Sequence, residues 1–208
     1  MEACRRPLST QTTLAMQGKT QNKEKEMNVL DYADLYAERA HKDQKRKYNH
    51  MPYIVHPRRV AAQMAKFTTN QAVLAATLLH DVIEDCNVTF DTLRHDFGET
   101  VAAIVQALTN TSKATHPASN RAQRKAIDRQ RLAEVPECIR GSVHTIKVLD
   151  RLDNLRDIPA SENDFFRVYL KESRDLLDVL VEAEPVLREE LANLINILEA
   201  QCQQTHTS

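Results

Sequence analysis

The sequence predicts an all-α protein, a compact multi-helix bundle with a polar site in its interior. Apolar residues recur at three- and four-residue spacing along most of the chain, and no segment alternates with strict period two. Glycines (3) and aromatic residues (5%) are too scarce for the turns and sheets of a sandwich or barrel. At 208 residues the chain fits one domain with tails and can bury a proper core.

Residues 1–27 are rich in Thr, Gln, Lys and Glu with little to bury, and are expected to form a flexible tail. The folded domain is expected over 28–203, with a short tail at 204–208. Val29, Leu30, Tyr32, Ala33, Leu35, Tyr36 and Ala40 set the period of a first helix. A polar loop, HKDQKRKYNHMP, follows. A second helix is expected over about 53–67 and a third over about 69–86. Thr89, Asp91 and Thr92 open a short fourth helix that Gly98 ends. Residues 99–108 (ETVAAIVQAL) make a fifth, and 109–119 have loop composition. A basic helix over about 120–135 stops before Pro136. Pro136 opens the next helix, which Pro159 closes. Two amphipathic helices, about 162–184 and 186–202, are separated at Pro185. Leu187, Leu191, Leu194, Ile195 and Leu198 give the last one an ordinary packing stripe.

Composition narrows the function. Lys plus Arg (28) nearly balances Asp plus Glu (29), so nothing draws the chain toward nucleic acid or a membrane surface. The basic run Arg121, Arg124, Lys125, Arg129, Arg131 is interrupted by Asp128 and Glu134 and carries no interleaved aromatics. It reads as a solvated face with one or two phosphate contacts. No stretch approaches a membrane span, and no apolar region follows Arg5 and Arg6 to make a secretory signal. The four cysteines (Cys4, Cys86, Cys138, Cys202) are far apart, which points to a reducing, cytoplasmic setting.

Against that background, TLLHDVIEDC (residues 77–86) places a histidine and three acids in an apolar run. A core tolerates such charge when it is paired or bound to a cation. In a continuous helix the spacing of His80 and Glu84, Asp81 and Asp85, and Asp81 and Glu84 makes one polar stripe. Two other segments point to the same site: His56 in PYIVHP, and Asp150 in IKVLDRLDNLR with Asn154 one turn on. Asp150 has a competing reading as an ion-pair partner of Lys147 or Arg151. Two imidazoles and two carboxylates leave open positions on an octahedral ion. They suit Mn²⁺ or Fe²⁺, with Mg²⁺ less favoured and Zn²⁺ allowed. His41, His50, His95, His116, His144 and His206 read as surface or supporting groups.

The ordered set PYIVHP, LLHDVIED, FGETVAAIVQALT and IKVLDRLDNLR resembles the HD-superfamily hydrolase domain of RelA/SpoT-type proteins. In size the chain is similar to the stand-alone small alarmone hydrolases, a group that includes the metazoan SpoT homologue. The resemblance covers about residues 29–180. It implies a helical HD-domain bundle holding one Mn²⁺ ion, with other divalent metals able to substitute. The implied activity removes the 3′-diphosphate from (p)ppGpp, yielding GDP or GTP and pyrophosphate in a stringent-response setting. It makes His56, His80, Asp81 and Asp150 the metal ligands, and Glu84 and Asp85 the pair that orients or deprotonates the attacking water. It makes Arg46 and Lys47 phosphate contacts, Tyr53 and Asn154 nucleoside contacts, and Arg121 and Tyr169 closing groups. Too few residues follow Asp150 for the synthetase domain of bifunctional members. The chain departs from the family at Leu149 and Asp153, where Ala and His are usual, and in KYNHMP, which lacks the usual glycine. The implied partner is a small nucleotide, with the oligomeric state open. The same site also fits ppApp or the 2′-phosphate of NADPH. A non-catalytic nucleotide sensor is the reading from another class, and the intact Glu84–Asp85 pair disfavours it.

Overall fold

The computed structural model describes residues 27–158 and 164–204. Residues 1–26 of the tail expected over 1–27, residues 205–208 of the tail expected over 204–208, and the expected helix start at 162 lie outside the described residues. The helices are α1 (Val29–Ala40), α2 (Val55–Met64), α3 (Gln71–Leu78), α4 (Val82–Asp85), α5 (Phe90–Phe97) and α6 (Glu99–Leu108). They continue with α7 (Ser112–Thr115), α8 (Arg121–Ala133), α9 (Glu137–Asp157), α10 (Asp164–Leu177) and α11 (Pro185–Gln204). Extended pairing among the described residues is confined to a bridge between Lys45 and Pro52 in the loop before α2. The chain is all-α, as its periodicity predicts.

Local chemistry sets the helix starts. Side-chain oxygens of Asn28, Asn70 and Thr89 accept the first free amides of α1, α3 and α5, and Asn120 with Gln123 forms a reciprocal capping box on α8. Gly98, at φ 87, ends α5 in a backbone region that few side chains tolerate, and α6 begins at the next residue.

Helices α3 and α9 form the centre. Every residue from Val73 to Leu78 is buried, as is every residue from Val143 to Asp153. Helix α3 packs on α1, α2 and α6, while α9 packs on α2, α6 and α11. Their apolar side chains join Ile104, Phe166, Leu191 and Ile195 in one core. A helix buried on all sides has no solvent face for a charged group, so Lys147, Asp150, Arg151 and Asp153 must find partners inside.

Four expected elements differ. The third helix does not run unbroken from 69 to 86: α3 ends at Leu78, His80 and Asp81 form a turn, and α4 restarts at Val82. The His80 Nδ1 lies 2.8 Å from the Thr77 carbonyl oxygen, and the Val82 amide bonds back only to Leu79, so the turn tightens. His80, Asp81, Glu84 and Asp85 therefore do not share one stripe. The helix expected to reach 184 stops at Leu177. Beyond it the amides of Glu182 and Glu184 donate to His144 and Thr145 of α9, while Leu180 and Ala183 turn into the core. Pro185 is the first residue of α11, not a spacer before it. The loop 109–119 contains the single turn α7, whose Ser112 is held by the buried Asp128 carboxylate through both its amide (3.2 Å) and its hydroxyl (2.7 Å).

Candidate active site

Three elements bring the expected ligands together. His56 lies in the first turn of α2, His80 and Asp81 in the α3–α4 turn, and Asp150 in the inner face of α9. Ligand atoms of His56, His80 and Asp81 all lie within 4.8 Å of one another. Asp150 Oδ1 is 3.3 Å from His56 Nε2 and 4.0 Å from His80 Nε2, closing the ring.

Each imidazole is aimed by its other nitrogen. His56 Nδ1 is 2.6 Å from Asp153 Oδ2, and His80 Nδ1 faces the Thr77 carbonyl. With a proton on each Nδ1, both Nε2 lone pairs point into the cluster. Those two Nε2 atoms are buried and make no hydrogen bond. Two orphaned nitrogens facing two carboxylates fit a divalent cation, which supplies what the cluster lacks.

Electrostatics agree. Burial would depress the His56 imidazole, but Asp150, Asp153 and Asp81 outweigh it and raise it to about 9. His80 is raised against burial chiefly by Asp81. Burial would raise the carboxyls of Asp81 and Asp150, yet His80 holds the first below the usual range, and Lys147 the second. Protons and Lys147 thus do in part what a cation would do in full.

Glu84 and Asp85 flank the cluster at the rim of an open cleft. Glu84 accepts from the Asn110 amide at 2.9 Å and from its side chain, and Asp85 accepts from the Tyr53 hydroxyl at 3.1 Å. Burial raises both carboxyls above their ordinary values, with Lys147 opposing at Glu84 and Asp81 reinforcing at Asp85. A raised carboxyl is a better base when ionised. The cleft, about 690 Å³, is also lined by Asn110, Arg121, Arg124 and Lys125. Lys125 is pushed below the ordinary lysine range by burial and by nearby Arg151 and Lys147, and no acid among the described residues holds it by a hydrogen bond or close ion pair.

A second cleft, about 280 Å³, lies on the other side and is lined by Arg46, Lys47, Tyr53, Asn154, Phe165 and Tyr169 among others. The single Tyr53 hydroxyl hydrogen is shared between Asp81 at 2.7 Å and Asp85 at 3.1 Å, and Asn154 donates to Asp150 at 2.5 Å. Lys47 is exposed, its ammonium 4.9 Å from the Phe165 ring centre. Arg46 is buried, donating from Nε to Asp157 at 3.0 Å and from a terminal nitrogen to Asn154 at 2.9 Å. Arg121 makes a bidentate pair with Glu172, and Tyr169 lies under the Arg151 guanidinium. All twelve expected site residues therefore border this cluster and its two clefts.

Sequence reasoning missed four contributors. Asn110 sits in a loop of ordinary composition, and Lys125 was one residue of a basic face. Asp153 carried only the signal of a departure from the family, and Asp157 carried none.

The HD domain family matches residues 33–180, and the chain belongs to that family. A Xenopus tropicalis guanosine-3′,5′-bis(diphosphate) 3′-pyrophosphohydrolase, MESH1, is 38% identical over 133 residues, covering 62% of this chain and 69% of the relative. The Vibrio cholerae enzyme of the same activity is 35% identical over 153 residues, 74% of this chain but 21% of the relative. The chain thus spans about a fifth of the length of the bacterial relatives it matches. A solved structure described as a metazoan ortholog of SpoT that hydrolyzes ppGpp superposes with TM-score 0.69 at 25% identity. The match covers 82% of this chain and 95% of that one.

Proposed function

We propose that this chain is a divalent-metal-dependent hydrolase that removes the 3′-diphosphate of (p)ppGpp, giving GDP or GTP and pyrophosphate. The observation that carries the reading is the pair of buried, unbonded Nε2 atoms of His56 and His80 facing Asp81 and Asp150 beside the Glu84–Asp85 rim. The names of the relatives supply the substrate class. His56, His80, Asp81 and Asp150 hold one ion, and Mn²⁺ is our assignment from the family resemblance, among the several ions that the mixed nitrogen and oxygen donors suit. Such an ion, when bound, acidifies water and neutralises phosphate oxygens.

The chain's own groups do the rest. Glu84 and Asp85 orient the attacking water and accept its proton, with Asn110 and Tyr53 fixing the two carboxylates. Lys47 and Lys125, cations that hydrogen-bond to no acid among the described residues, meet the substrate's phosphates from the two clefts. Tyr53 and Asn154 line the nucleoside side, while Arg121 and Tyr169 close over it from α8 and α10. Cys86 and Cys138 are thiols that form no disulfide among the described residues, which supports a cytoplasmic setting for a nucleotide enzyme. No helix among the described residues is long and apolar enough to cross a membrane.

The test is purified protein with Mn²⁺ against ppGpp, ppApp, NADPH and dNTPs, with products separated by chromatography. Pyrophosphate and GDP from ppGpp are expected. Phosphate from NADPH with no cleavage of either alarmone contradicts the proposal, and so does inactivity toward the whole panel.

A further inference from the structure

We propose that Asp153 is a positioning residue for the metal centre, holding His56 in the tautomer and orientation that present Nε2 to the cation. The inference rests on the reading of His56 as a ligand. Asp153 lies one helical turn after Asp150 on the buried face of α9, so a single element supplies both a ligand and the partner of another ligand. Its Oδ2 is 2.6 Å from His56 Nδ1, a separation that belongs to a charge-assisted hydrogen bond. His56 is fully buried and Asp153 is 8% exposed, so water does not compete for this bond.

The carboxylate is itself fixed. It forms ion pairs with two arginines, Arg59 Nε standing 3.1 Å from Oδ1 without hydrogen-bond geometry and an Arg46 terminal nitrogen 3.7 Å from Oδ2. Both arginines also grip Asp157, one turn further along α9. Arg46 donates in addition to Asn154, which donates to Asp150. Two arginines, two aspartates and an asparagine thus form one lattice behind the cluster, and Asp153 is its contact with His56.

A carboxylate behind a ligating imidazole fixes the ring and raises its basicity. A neutral partner does this poorly here. An asparagine that turns its carbonyl toward His56 must turn its amide toward Arg59, donor against donor. This explains why an acid at 153, an apparent departure in the sequence, is compatible with an intact metal site.

The test is metal affinity, measured by calorimetry with Mn²⁺ and without substrate, in the full chain and in Asp153→Asn and Asp157→Asn. Asp157 shares the arginines but touches no ligand, so its variant reports the lattice alone. Asp153→Asn is expected to bind Mn²⁺ about 10–100-fold more weakly. It is also expected to shift the ligand-field spectrum of the Co²⁺-loaded protein, while Asp157→Asn leaves both unchanged. Wild-type affinity and spectrum in Asp153→Asn overturn the role of Asp153 and leave the metal site standing. Equal losses in both variants overturn it too, because the lattice then acts as a whole. A wild-type chain that binds no divalent ion overturns the metal reading itself.

Discussion

Arg46 and Lys47 are adjacent in the sequence, yet the first turns inward to Asp157 and Asn154 and the second outward over Phe165. Their substitutions should separate. Lys47→Ala is expected to keep metal and raise KM for ppGpp, by roughly tenfold or more if a charged hydrogen bond worth about 1.5–3 kcal/mol is lost. Arg46→Ala is expected to weaken metal binding through Asn154 and Asp153; steady-state kinetics and calorimetry on each variant check this. Glu84→Gln and Asp85→Asn preserve shape and remove the base. They are expected to retain Mn²⁺ and bind nucleotide while kcat falls about 10²–10⁴-fold. Loss of metal in either variant makes that residue a ligand and contradicts the assignment. His56 adds a pH dependence. Its imidazole in the metal-free protein is raised to about 9, so its stabilising contribution is complete below an unfolded value of about 6.5 and is lost as pH rises through about 9. The cation needs the neutral ring, so metal affinity should rise over the same interval with proton release. Calorimetry in buffers of different ionisation enthalpy reads that proton, and a flat affinity from pH 6.5 to 9 argues against it.

At the scale of elements, the α3–α4 break matters most. The apolar run 73–79, interrupted by Thr77 alone, predicts a continuing helix, and nothing local in the sequence marks a stop. The turn arises because His80 reaches back to the Thr77 carbonyl, a contact that periodicity does not encode. By contrast, the fifth helix was legible to the residue, since Gly98 and Thr109 bound a strongly apolar segment. Helix α7 was read as loop because a single turn has no period. It is held by Asp128 of α8, which also lines the larger cleft. Asp128→Ala strands the buried Ser112 hydroxyl and amide and should destabilise the fold by about 1–3 kcal/mol. Chemical denaturation measures this, and a change under a few tenths of a kcal/mol contradicts the bond's importance. His50 takes φ 58 in the glycine-free loop KYNHMP, so a non-glycine residue adopts the left-handed conformation there.

For the whole molecule, the fold was legible because helical period and cap residues are local signals, and the bundle follows from burying their apolar faces. The proposed ligand set was assembled from motifs that stand in order along the sequence, although which nitrogen each histidine would offer required the partners behind it. The supporting residues were not legible: Asp153, Asp157 and Arg59 meet only when α2 and α9 pack. The same packing underlies the proposed metal dependence, since it collects carboxylates and imidazoles that protons, Lys147 and a cation can balance. The most direct test is hydrolysis of ppGpp by protein stripped with a chelator and then titrated with Mn²⁺. Activity should vanish on stripping and return in full as one ion per chain is bound, with GDP and pyrophosphate formed in equal amounts. Undiminished hydrolysis by the stripped protein contradicts the account.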